Sequence, residues 1–278
     1  MVGIVVDSCC DLTKELIEKY NVVVVPFKMT IDYKEYVDDE SLDIDEFLTN
    51  MQNSKNSVTT SCPSPLEYKE AILSRNADDV FVITISSKLS GSYNSAMVAK
   101  HTIEEERGDI KIHVIDSLSA GAGEVAIFLK LVELKDKFSF GDLVEKIEAA
   151  KDNMKLYFIL DKFDNLVKNG RMRKVASKVA GALNIRPLMH GVNGEIEILQ
   201  INRGFKKSLI HLTKNIGEVF DDLEDRIIVG VGVYAEDRSM FLKEKLKEMY
   251  NFTNYKYFKG KGLTTTYANE GGIIVAII

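Results

Sequence analysis

Residues Asp79–Tyr93 read DVFVITISSKLSGSY, in which an uninterrupted apolar run leads into a loop rich in hydroxyl side chains. The apolar run predicts a strand over Asp79–Ser86, because short runs rich in β-branched residues are typical of buried strands. The spacing after the loop predicts a helix over Ser90–Glu106. A strand, a polar loop and a helix in this order indicate one unit of an α/β fold.

The same alternation continues on both sides of this unit. Further strands are predicted over Gly3–Asp7, Val22–Ile31 and Lys111–Asp116. Further helices are predicted over Thr13–Tyr20, Ile44–Ser54, Ser64–Arg75 and Gly123–Asp136. Because strands alternate with helices, we expect residues 1–153 to form a three-layer αβα domain with a mostly parallel sheet.

The second half of the chain mixes a hairpin with helices. Asn193-Gly194 is a strong hairpin turn between strands predicted over Ile185–His190 and Glu195–Arg203. The other predicted strands are Lys155–Asp161, Arg226–Ala235, Tyr255–Phe258 and Gly272–Ile278. The predicted helices are Phe163–Lys168, Lys174–Asn184, Phe205–Leu223 and Arg238–Tyr250. We therefore expect residues 154–278 to form an α+β domain with a mixed or antiparallel sheet.

Composition narrows the class of protein. The chain has 278 residues, and its 36 basic and 42 acidic residues give a formal charge of −6. A negative charge disfavours nucleic acid or an anionic membrane as a general partner. No apolar run reaches the length of a membrane span, and the start MVGIVVD lacks the basic region of a signal peptide. With three cysteines and no zinc-binding spacing, we expect a reduced, cytoplasmic protein without a metal or a cofactor.

Two hydroxyl-rich segments precede helices, Ser57–Ser64 and Ser86–Tyr93. Loops at the carboxyl ends of parallel strands line the usual ligand crevice, and helix N-termini favour anions. The hydroxyls of Thr60, Ser61 and Ser90 are therefore candidates to bind a carboxylate or a phosphate. The alternative is that the serines at the two helix starts only cap their helices, which is a common role of serine.

Other chemistry has little support in the sequence. No P-loop occurs, and the two GxGxxA stretches, at Gly121 and Gly230, are badly placed for a dinucleotide. No GxSxG elbow occurs, and the acids beside Cys9 and Cys10 disfavour a reactive thiolate. One cluster free of acids consists of Lys168, Arg171, Arg173, Lys174 and Lys178. This cluster is either a solvated face or a docking surface for an acidic partner.

The motifs, taken in order, resemble those of the DegV family of bacterial fatty-acid-binding proteins over nearly the whole chain. They are Asp7–Leu12 (DSCCDL), Thr60–Ser64 (TSCPS), Ser86–Ala96 (SSKLSGSYNSA), Asp116-Ser117, Asn169–Met172 (NGRM), Leu183–Pro187 (LNIRP) and Arg203-Gly204. The second and third motifs, TSCPS and SSKLSGSYNSA, are specific for this family when they occur together. The resemblance implies a two-domain α/β protein that encloses one long-chain fatty acid. Some members of the family pass this acid, as an acyl phosphate, to and from a separate kinase subunit of the dihydroxyacetone-kinase type.

The resemblance also implies roles for particular residues. Thr60 and Ser90 match the hydroxyls that hold the fatty-acid carboxylate, and Ser61 is the neighbour of Thr60. Arg171 and Arg203 match arginines near the head-group opening and the side that faces the kinase.

Three positions depart from the family pattern. Cys62 replaces the usual Gln, and Ser92 replaces the usual Thr. Tyr267 occupies the position at which the family often has a His, so we expect it to assist at the head group. A phenol donates one hydrogen bond but carries no positive charge near neutral pH.

We therefore expect a carrier without catalytic activity. It should hold the carboxylate of a long-chain fatty acid with Thr60, Ser61 and Ser90, and bury the acyl chain in an apolar tunnel completed by the C-terminal domain. A fatty-acid kinase subunit is the partner that the resemblance implies. One alternative is an enzyme or binding protein for a phosphorylated small molecule that uses the same Ser/Thr loops. Another is an interaction module that uses the basic residues between Lys168 and Lys178.

Overall fold

The computed structural model describes residues 2–175 and 184–278. Its strands are β1 (Val2–Asp7), β2 (Val23–Val25), β3 (Lys28–Ile31), β4 (Lys34–Val37), β5 (Thr59–Ser61), β6 (Asp79–Thr84), β7 (Lys111–Asp116), β8 (Lys155–Ile159), β9 (Leu188–Val192), β10 (Glu195–Gln200), β11 (Ile228–Gly232), β12 (Tyr255–Lys259) and β13 (Ile273–Ile277). Its helices are α1 (Lys14–Tyr20), α2 (Ile44–Asn53), α3 (Pro65–Leu73), α4 (Ser92–Glu106), α5 (Ala122–Leu134), α6 (Phe140–Asn153), α7 (Asp164–Lys168), α8 (Phe205–Val219), α9 (Glu236–Tyr250) and α10 (Gly262–Ala268). The helix predicted over Lys174–Asn184 falls almost entirely outside the described residues.

Four parallel strands form the first sheet, in the order β2-β1-β6-β7. Side chains alternate along a strand, so Val80 and Val82 of β6 pack toward α3 and α4. Phe81 and Ile83 of the same strand pack toward α5 and α6 on the opposite face. The predicted three-layer αβα arrangement around a mostly parallel sheet is therefore confirmed, and the covering of both faces explains the apolar run in β6.

The segment Val22–Ile31 forms two strands, so the prediction of one continuous strand was wrong. Pro26 has no N–H group to continue the ladder, and the chain leaves the parallel sheet after Val25. Strand β3 then joins a separate antiparallel sheet in the order β4-β3-β5, where Met29 pairs with Thr60. The first hydroxyl-rich segment, expected to be a loop after a parallel strand, therefore contains a short strand of this second sheet.

The second half of the chain forms a mixed sheet in the order β10-β9-β8-β13-β11-β12. Strands β11 and β12 are parallel, and the other pairs in this sheet are antiparallel. The predicted hairpin is present, since Val192 pairs with Glu195 across Asn193-Gly194. The expected α+β half with a mixed sheet is confirmed. Helices α8 and α9 cover one face of this sheet, with Leu212 and Leu246 in the shared cluster.

Helix α5 lies between the two large sheets. Its residues from Ala122 to Leu129 are all buried. The cluster that contains them also contains Phe81 of the parallel sheet and Val229 and Ala276 of the mixed sheet. Apart from Glu124, the first two turns of α5 are apolar on all sides, which is typical of a helix surrounded by protein. One continuous core therefore joins the two sheets, and the domain boundary between residues 153 and 154 stays a prediction.

Two carboxylates from the first half of the chain hold the start of α10, a helix that we did not predict. Asp38 accepts hydrogen bonds from two backbone N–H groups at the beginning of this helix, at 2.7 and 2.9 Å. Asp11 accepts one from the N–H of Lys261 at 2.6 Å and one from the hydroxyl of Thr264 at 2.7 Å. Negative groups are favourable at this end of a helix because its N–H groups are free and its dipole is positive there. These contacts fix α10 relative to the parallel sheet.

The burial of Asp11 makes stability depend on pH. Burial raises the pKa of this carboxyl from 3.8 to about 7. Between these two pH values the folded protein keeps a proton that the unfolded chain releases, so the free energy of unfolding falls as pH rises. Asp11→Asn removes this titration, and we expect the fall in stability between about pH 4 and pH 7 to shrink by up to about 4 kcal/mol. Urea unfolding at a series of pH values measures this difference.

The matched control is Asp221→Asn, since Asp221 is exposed. We expect this variant to keep the pH dependence of the unsubstituted protein. If the free energy of unfolding falls with pH equally in Asp11→Asn and in the unsubstituted protein, the raised pKa of Asp11 is contradicted.

Candidate functional site

A cavity of ≈ 310 Å³ lies between the parallel sheet and the mixed sheet. Its volume falls in the range of roughly 300–1,000 Å³ that is usual for small-molecule sites. It lies at the carboxyl ends of the parallel strands, the position at which α/β sheets usually bind ligands. Residues from both halves of the chain line it.

One wall of the cavity belongs to the mixed sheet. Leu156, Phe158 and Leu160 line it, because alternate residues of an extended chain point to the same side. Ile274 of β13 pairs with Phe158 and lines the same wall. We did not predict these residues as part of the site, although the alternation in β8 could have indicated an apolar face.

The opposite wall comes from the loops that follow the parallel strands. Cys9 follows β1, Ile85 and Leu89 follow β6, and Leu118 and Ala120 follow β7. All of these side chains are mainly apolar, so both long walls of the cavity are apolar. The sequence analysis found the loops but selected only their hydroxyl groups.

Five of the six predicted site residues line this cavity. They are Thr60, Ser61, Ser90, Arg171 and Tyr267. The hydroxyls of Thr60 and Tyr267 are joined by a hydrogen bond of 2.7 Å, although 207 positions separate the two residues. Arg171 donates from Nε to the carbonyl oxygen of Leu89 at 3.2 Å, which holds its guanidinium beside the second hydroxyl-rich loop. The cavity thus combines apolar walls with hydroxyl groups and one guanidinium, and its lining also includes Glu195, whose carboxylate pairs with Lys174.

The two hydroxyl-rich segments contact each other through Gly91 and Cys62. A Cβ atom placed on Gly91 would lie 3.3 Å from Cys62 Sγ, so the absence of a side chain permits this close approach. Ser90 immediately precedes this contact, and its hydroxyl accepts a hydrogen bond of 3.2 Å from the N–H of Ser92. The packing brings Ser90 to the same cavity as Thr60.

The expectation that both helix starts offer an anion site was wrong for α3. Ser64 caps α3, and the carboxylate of Glu67 accepts hydrogen bonds from the N–H and the hydroxyl of Ser64, both at 2.7 Å. A carboxylate of the chain itself therefore already occupies this N-terminus. The capping role of Ser64, which was the alternative, is confirmed. The start of α4 differs because no side chain caps it. Its N-cap is Gly91, and Ser90 precedes this cap.

Tyr267 is a neutral hydrogen-bonding group at neutral pH. Burial raises the pKa of its phenol above the ordinary value of 10.0, and the hydrogen bond to Thr60 and the charge of Arg171 oppose this rise. Among the predicted residues that line the cavity, Arg171 is therefore the one that carries a positive charge. Burial likewise raises the pKa of Cys9 well above its usual range, so this cavity-lining thiol is protonated and not a nucleophilic thiolate.

Buried Asp7 ties the loops around the cavity to the parallel sheet. Its carboxylate accepts hydrogen bonds from the N–H of Cys9 at 3.1 Å, the N–H of Ile85 at 3.0 Å and the hydroxyl of Ser92 at 2.8 Å. Ser92 also bonds to the phenol of Tyr68 at 2.6 Å. Ser92 is therefore a buried residue that supports the loops around the cavity.

Arg203 does not line the cavity. Its side chain is exposed, and its backbone forms an isolated bridge with Ile185. In the basic cluster, Arg173 and Lys174 are exposed and Lys174 forms an ion pair with Glu195. Lys178 lies outside the described residues.

Two other kinds of feature, a metal centre and a membrane-spanning helix, do not occur in the described ranges, 2–175 and 184–278. No group of three or more histidine, cysteine, aspartate or glutamate side chains in these ranges could hold a metal ion. None of the described helices combines the length and the apolar character that crossing a bilayer requires.

Known proteins resemble this chain over its full length. Residues 1–278 match the family model described as "Uncharacterised protein, DegV family". A DegV domain-containing protein of Streptococcus pyogenes serotype M1 is 38% identical over 286 residues, which cover 98% of this chain and 97% of that protein.

Solved structures give the same result. A DegV family protein of Ruminococcus gnavus, refined with vaccenic acid, has a TM-score of 0.93 and 35% identity, with 99% of each chain covered. The Fatty Acid Kinase B3 protein of Streptococcus pneumoniae, loaded with linoleic acid, has a TM-score of 0.91 and 36% identity, covering 99% of this chain and 98% of that one. Sequence and structure agree over the whole length, and this chain belongs to the DegV family.

Proposed function

We propose that this protein binds one long-chain fatty acid in the cavity between its two sheets. The observation that carries the proposal is a cavity with two apolar walls whose polar lining includes Thr60, Ser61, Ser90, Arg171 and Tyr267. The hydroxyls and the guanidinium bind the carboxylate, and the apolar walls bury the acyl chain. The relatives refined with vaccenic acid and loaded with linoleic acid support this ligand class.

The acyl chain supplies most of the affinity. About 15 methylenes at about 0.8 kcal/mol each give a gross transfer free energy of about 12 kcal/mol. A hydrogen bond to the charged head contributes about 1.5–3 kcal/mol. The hydroxyl groups therefore mainly fix the position and orientation of the head, and the walls determine how tightly the ligand is held.

The cavity disfavours a small phosphorylated ligand, which was our alternative. A phosphate compound needs a compact polar cleft, whereas both long walls of this cavity are apolar. The start of α3, which could have held a phosphate, is already capped by Glu67. A fatty acid matches these surroundings because most of its surface is hydrocarbon.

The role that fits this geometry is that of a non-catalytic carrier. The thiol of Cys9 is protonated and the phenol of Tyr267 is neutral, so neither is an activated nucleophile or base. A relative that is itself a fatty acid kinase B3 protein supports a carrier that presents its acid to a kinase subunit. Arg171 at the cavity and exposed Arg203 are the arginines that this presentation would use.

The first test is to look for the ligand. Native mass spectrometry of the gently purified protein should show an added mass equal to one fatty acid, because tail burial makes dissociation slow. Delipidated protein should take up one equivalent of added palmitate or oleate. A clean ligand-free mass together with no uptake would overturn the proposal.

Removing the head-group hydroxyls should weaken binding without abolishing it. We expect Thr60→Ala with Ser90→Ala to lower the affinity for palmitate by about tenfold or more for each lost hydrogen bond. The affinity for methyl palmitate, which has no carboxylate, should change much less. Displacement of a fluorescent fatty acid measures both ligands.

The matched control is Thr59→Ala with Ser87→Ala, since neither residue lines the cavity. This variant should bind palmitate like the unsubstituted protein. Equal losses for palmitate and its methyl ester in the Thr60/Ser90 variant would show that the hydroxyls do not hold the carboxylate.

Restoring the more usual histidine should make binding depend on pH. Tyr267→His introduces a group with an ordinary pKa of about 6.5, and its protonated form attracts a carboxylate. We expect the palmitate affinity of this variant to rise as pH falls through about 6.5. The unsubstituted protein and Tyr267→Phe should show no such step, because neither carries a group at this position that titrates there. An identical pH profile for all three proteins would place the carboxylate away from position 267.

A further inference from the structure

The segment Asn165–Arg171, termed the α7 segment, is anchored in the mixed sheet. Leu166 is buried and belongs to the same apolar cluster as Phe158 of β8. Gly170 has a φ of +74° and ends the helix in a turn, in which the N–H of Arg171 donates to the carbonyl oxygen of Leu166 at 2.9 Å. Glycine adopts this backbone readily because it has no Cβ atom. The turn fixes the backbone that carries the last side chains of the segment.

The first polar side chain of the α7 segment holds α10. Asn165 is buried, and its Nδ2 donates to the carbonyl oxygen of Thr266 at 2.8 Å. This carbonyl lies in the last turn of α10, where carbonyl groups have no partner within their own helix. Because a peptide group is planar, the bond to the Thr266 oxygen fixes the plane that ends at the Cα atom of Tyr267. Asn165 therefore orients the residue that carries the phenol.

The second polar side chain holds the strand that carries Thr60. Asn169 Nδ2 donates to the carbonyl oxygen of Val58 at 2.8 Å, although 111 positions separate the two residues. Val58 immediately precedes β5, and Thr60 lies in the middle of that strand. The backbone carbonyl of Asn169 in turn accepts a hydrogen bond from Arg171 Nη1. Asn169 thus connects the strand of Thr60 to the guanidinium.

The third polar side chain, that of Arg171, holds the loop that carries Ser90. Its Nε donates to the carbonyl oxygen of Leu89 at 3.2 Å, which fixes the peptide plane that ends at the Cα atom of Ser90. The donors of one segment therefore bond beside three hydroxyl-bearing residues of the cavity. These residues, Thr60, Ser90 and Tyr267, come from separate elements of the fold.

The two asparagines act without touching the ligand, because neither Asn165 nor Asn169 lines the cavity. Hydrogen bonds depend on distance and direction, so the groups that hold a carboxylate must stay within about 0.5 Å of their productive positions. The apolar contacts that hold an acyl chain have no such direction. A displacement of the hydroxyl groups therefore affects the binding of a carboxylate far more than the burial of the tail.

We propose, on the basis of the proposed fatty-acid function, that Asn165 and Asn169 are positioning residues that make the cavity selective for free fatty acids over their neutral esters. The α7 segment fastens the elements that carry Thr60, Ser90 and Tyr267 to one anchor on the mixed sheet. Their hydroxyls then converge on a carboxylate. An ester with the same acyl chain keeps the tail contacts but gains little from the alignment of the head-group donors.

The ratio of two affinities tests this assignment. Delipidated protein is titrated with palmitate and with methyl palmitate, which share the same acyl chain. We expect Asn169→Ala to lower the affinity for palmitate by about tenfold and to leave that for methyl palmitate nearly unchanged. Asn165→Ala should act in the same direction. Asn169→Asp, which keeps the size but removes the amide donor, should resemble Asn169→Ala, whereas Asn169→Gln, which keeps a donor, should regain part of the palmitate affinity.

The ionisation of the bound acid gives a second readout. Palmitate labelled with ¹³C at its carboxyl carbon reports its own protonation through the chemical shift. Hydrogen bonds to a carboxylate lower its pKa, so misplaced donors raise it. We therefore expect the bound carboxyl to titrate at a higher pH in Asn169→Ala than in the unsubstituted protein. A loss of packing that left the head-group donors in place would not move this titration.

Asn254→Ala is the matched control. Asn254 Nδ2 donates to the carbonyl oxygen of Arg226 at 2.9 Å, which is the same kind of bond between distant segments, and neither residue lines the cavity. This variant should lose stability but keep both affinities. Thermal unfolding identifies the variants that fold, and the half-buried position of Asn169 lets its variants carry the test if Asn165→Ala does not fold.

The outcomes separate this inference from the proposed function. If the unsubstituted protein binds palmitate but the folded Asn169 variants lose both ligands equally, or lose neither, the positioning role is overturned and the fatty-acid proposal stands. If the unsubstituted protein binds neither palmitate nor methyl palmitate, the fatty-acid proposal fails, and this inference fails with it.

Discussion

Helix α5 is surrounded by protein through its first two turns, and this burial holds the two sheets apart. Its apolar side chains contact the parallel sheet on one side and the mixed sheet on the other. A helix with its side chains is about 10 Å across, so the sheets cannot close onto each other. Ser119 and Ala120, which immediately precede α5, line the cavity. The cavity therefore begins where the helix that separates the sheets begins.

Buried carboxylates hold the loops that line this space. Asp7 binds the segments after β1 and β6, whereas Asp11 and Asp38 bind the start of α10. Burial raises the pKa of all three groups, which costs folding free energy wherever they must ionise. The hydrogen bonds that they accept offset part of this cost. These internal hydrogen bonds hold the loops around the cavity in place.

The proposed head-group site separates hydrogen bonding from charge. Tyr267 and Thr60 form a neutral pair, and Arg171 provides the positive charge. A protonated histidine at position 267 would serve both purposes with one side chain. Here the two tasks fall to residues on different elements, since Tyr267 lies on α10 and Arg171 follows α7.

The sequence by itself determined the layers, because local patterns encode them: the apolar run of β6, the Ser64 cap and the Asn193-Gly194 turn each act within a few residues. It also indicated the two hydroxyl-rich segments, and the resemblance implied the proposed roles of Thr60, Ser90 and Arg171. It did not reveal that Pro26 divides one apolar segment between two sheets, nor that α10 exists. Only the tertiary structure decided that Thr60 meets Tyr267 and that Leu156 and Phe158 leave a cavity instead of packing solidly. Such outcomes depend on how α5 spaces two sheets that are distant in sequence, and no local pattern records that spacing.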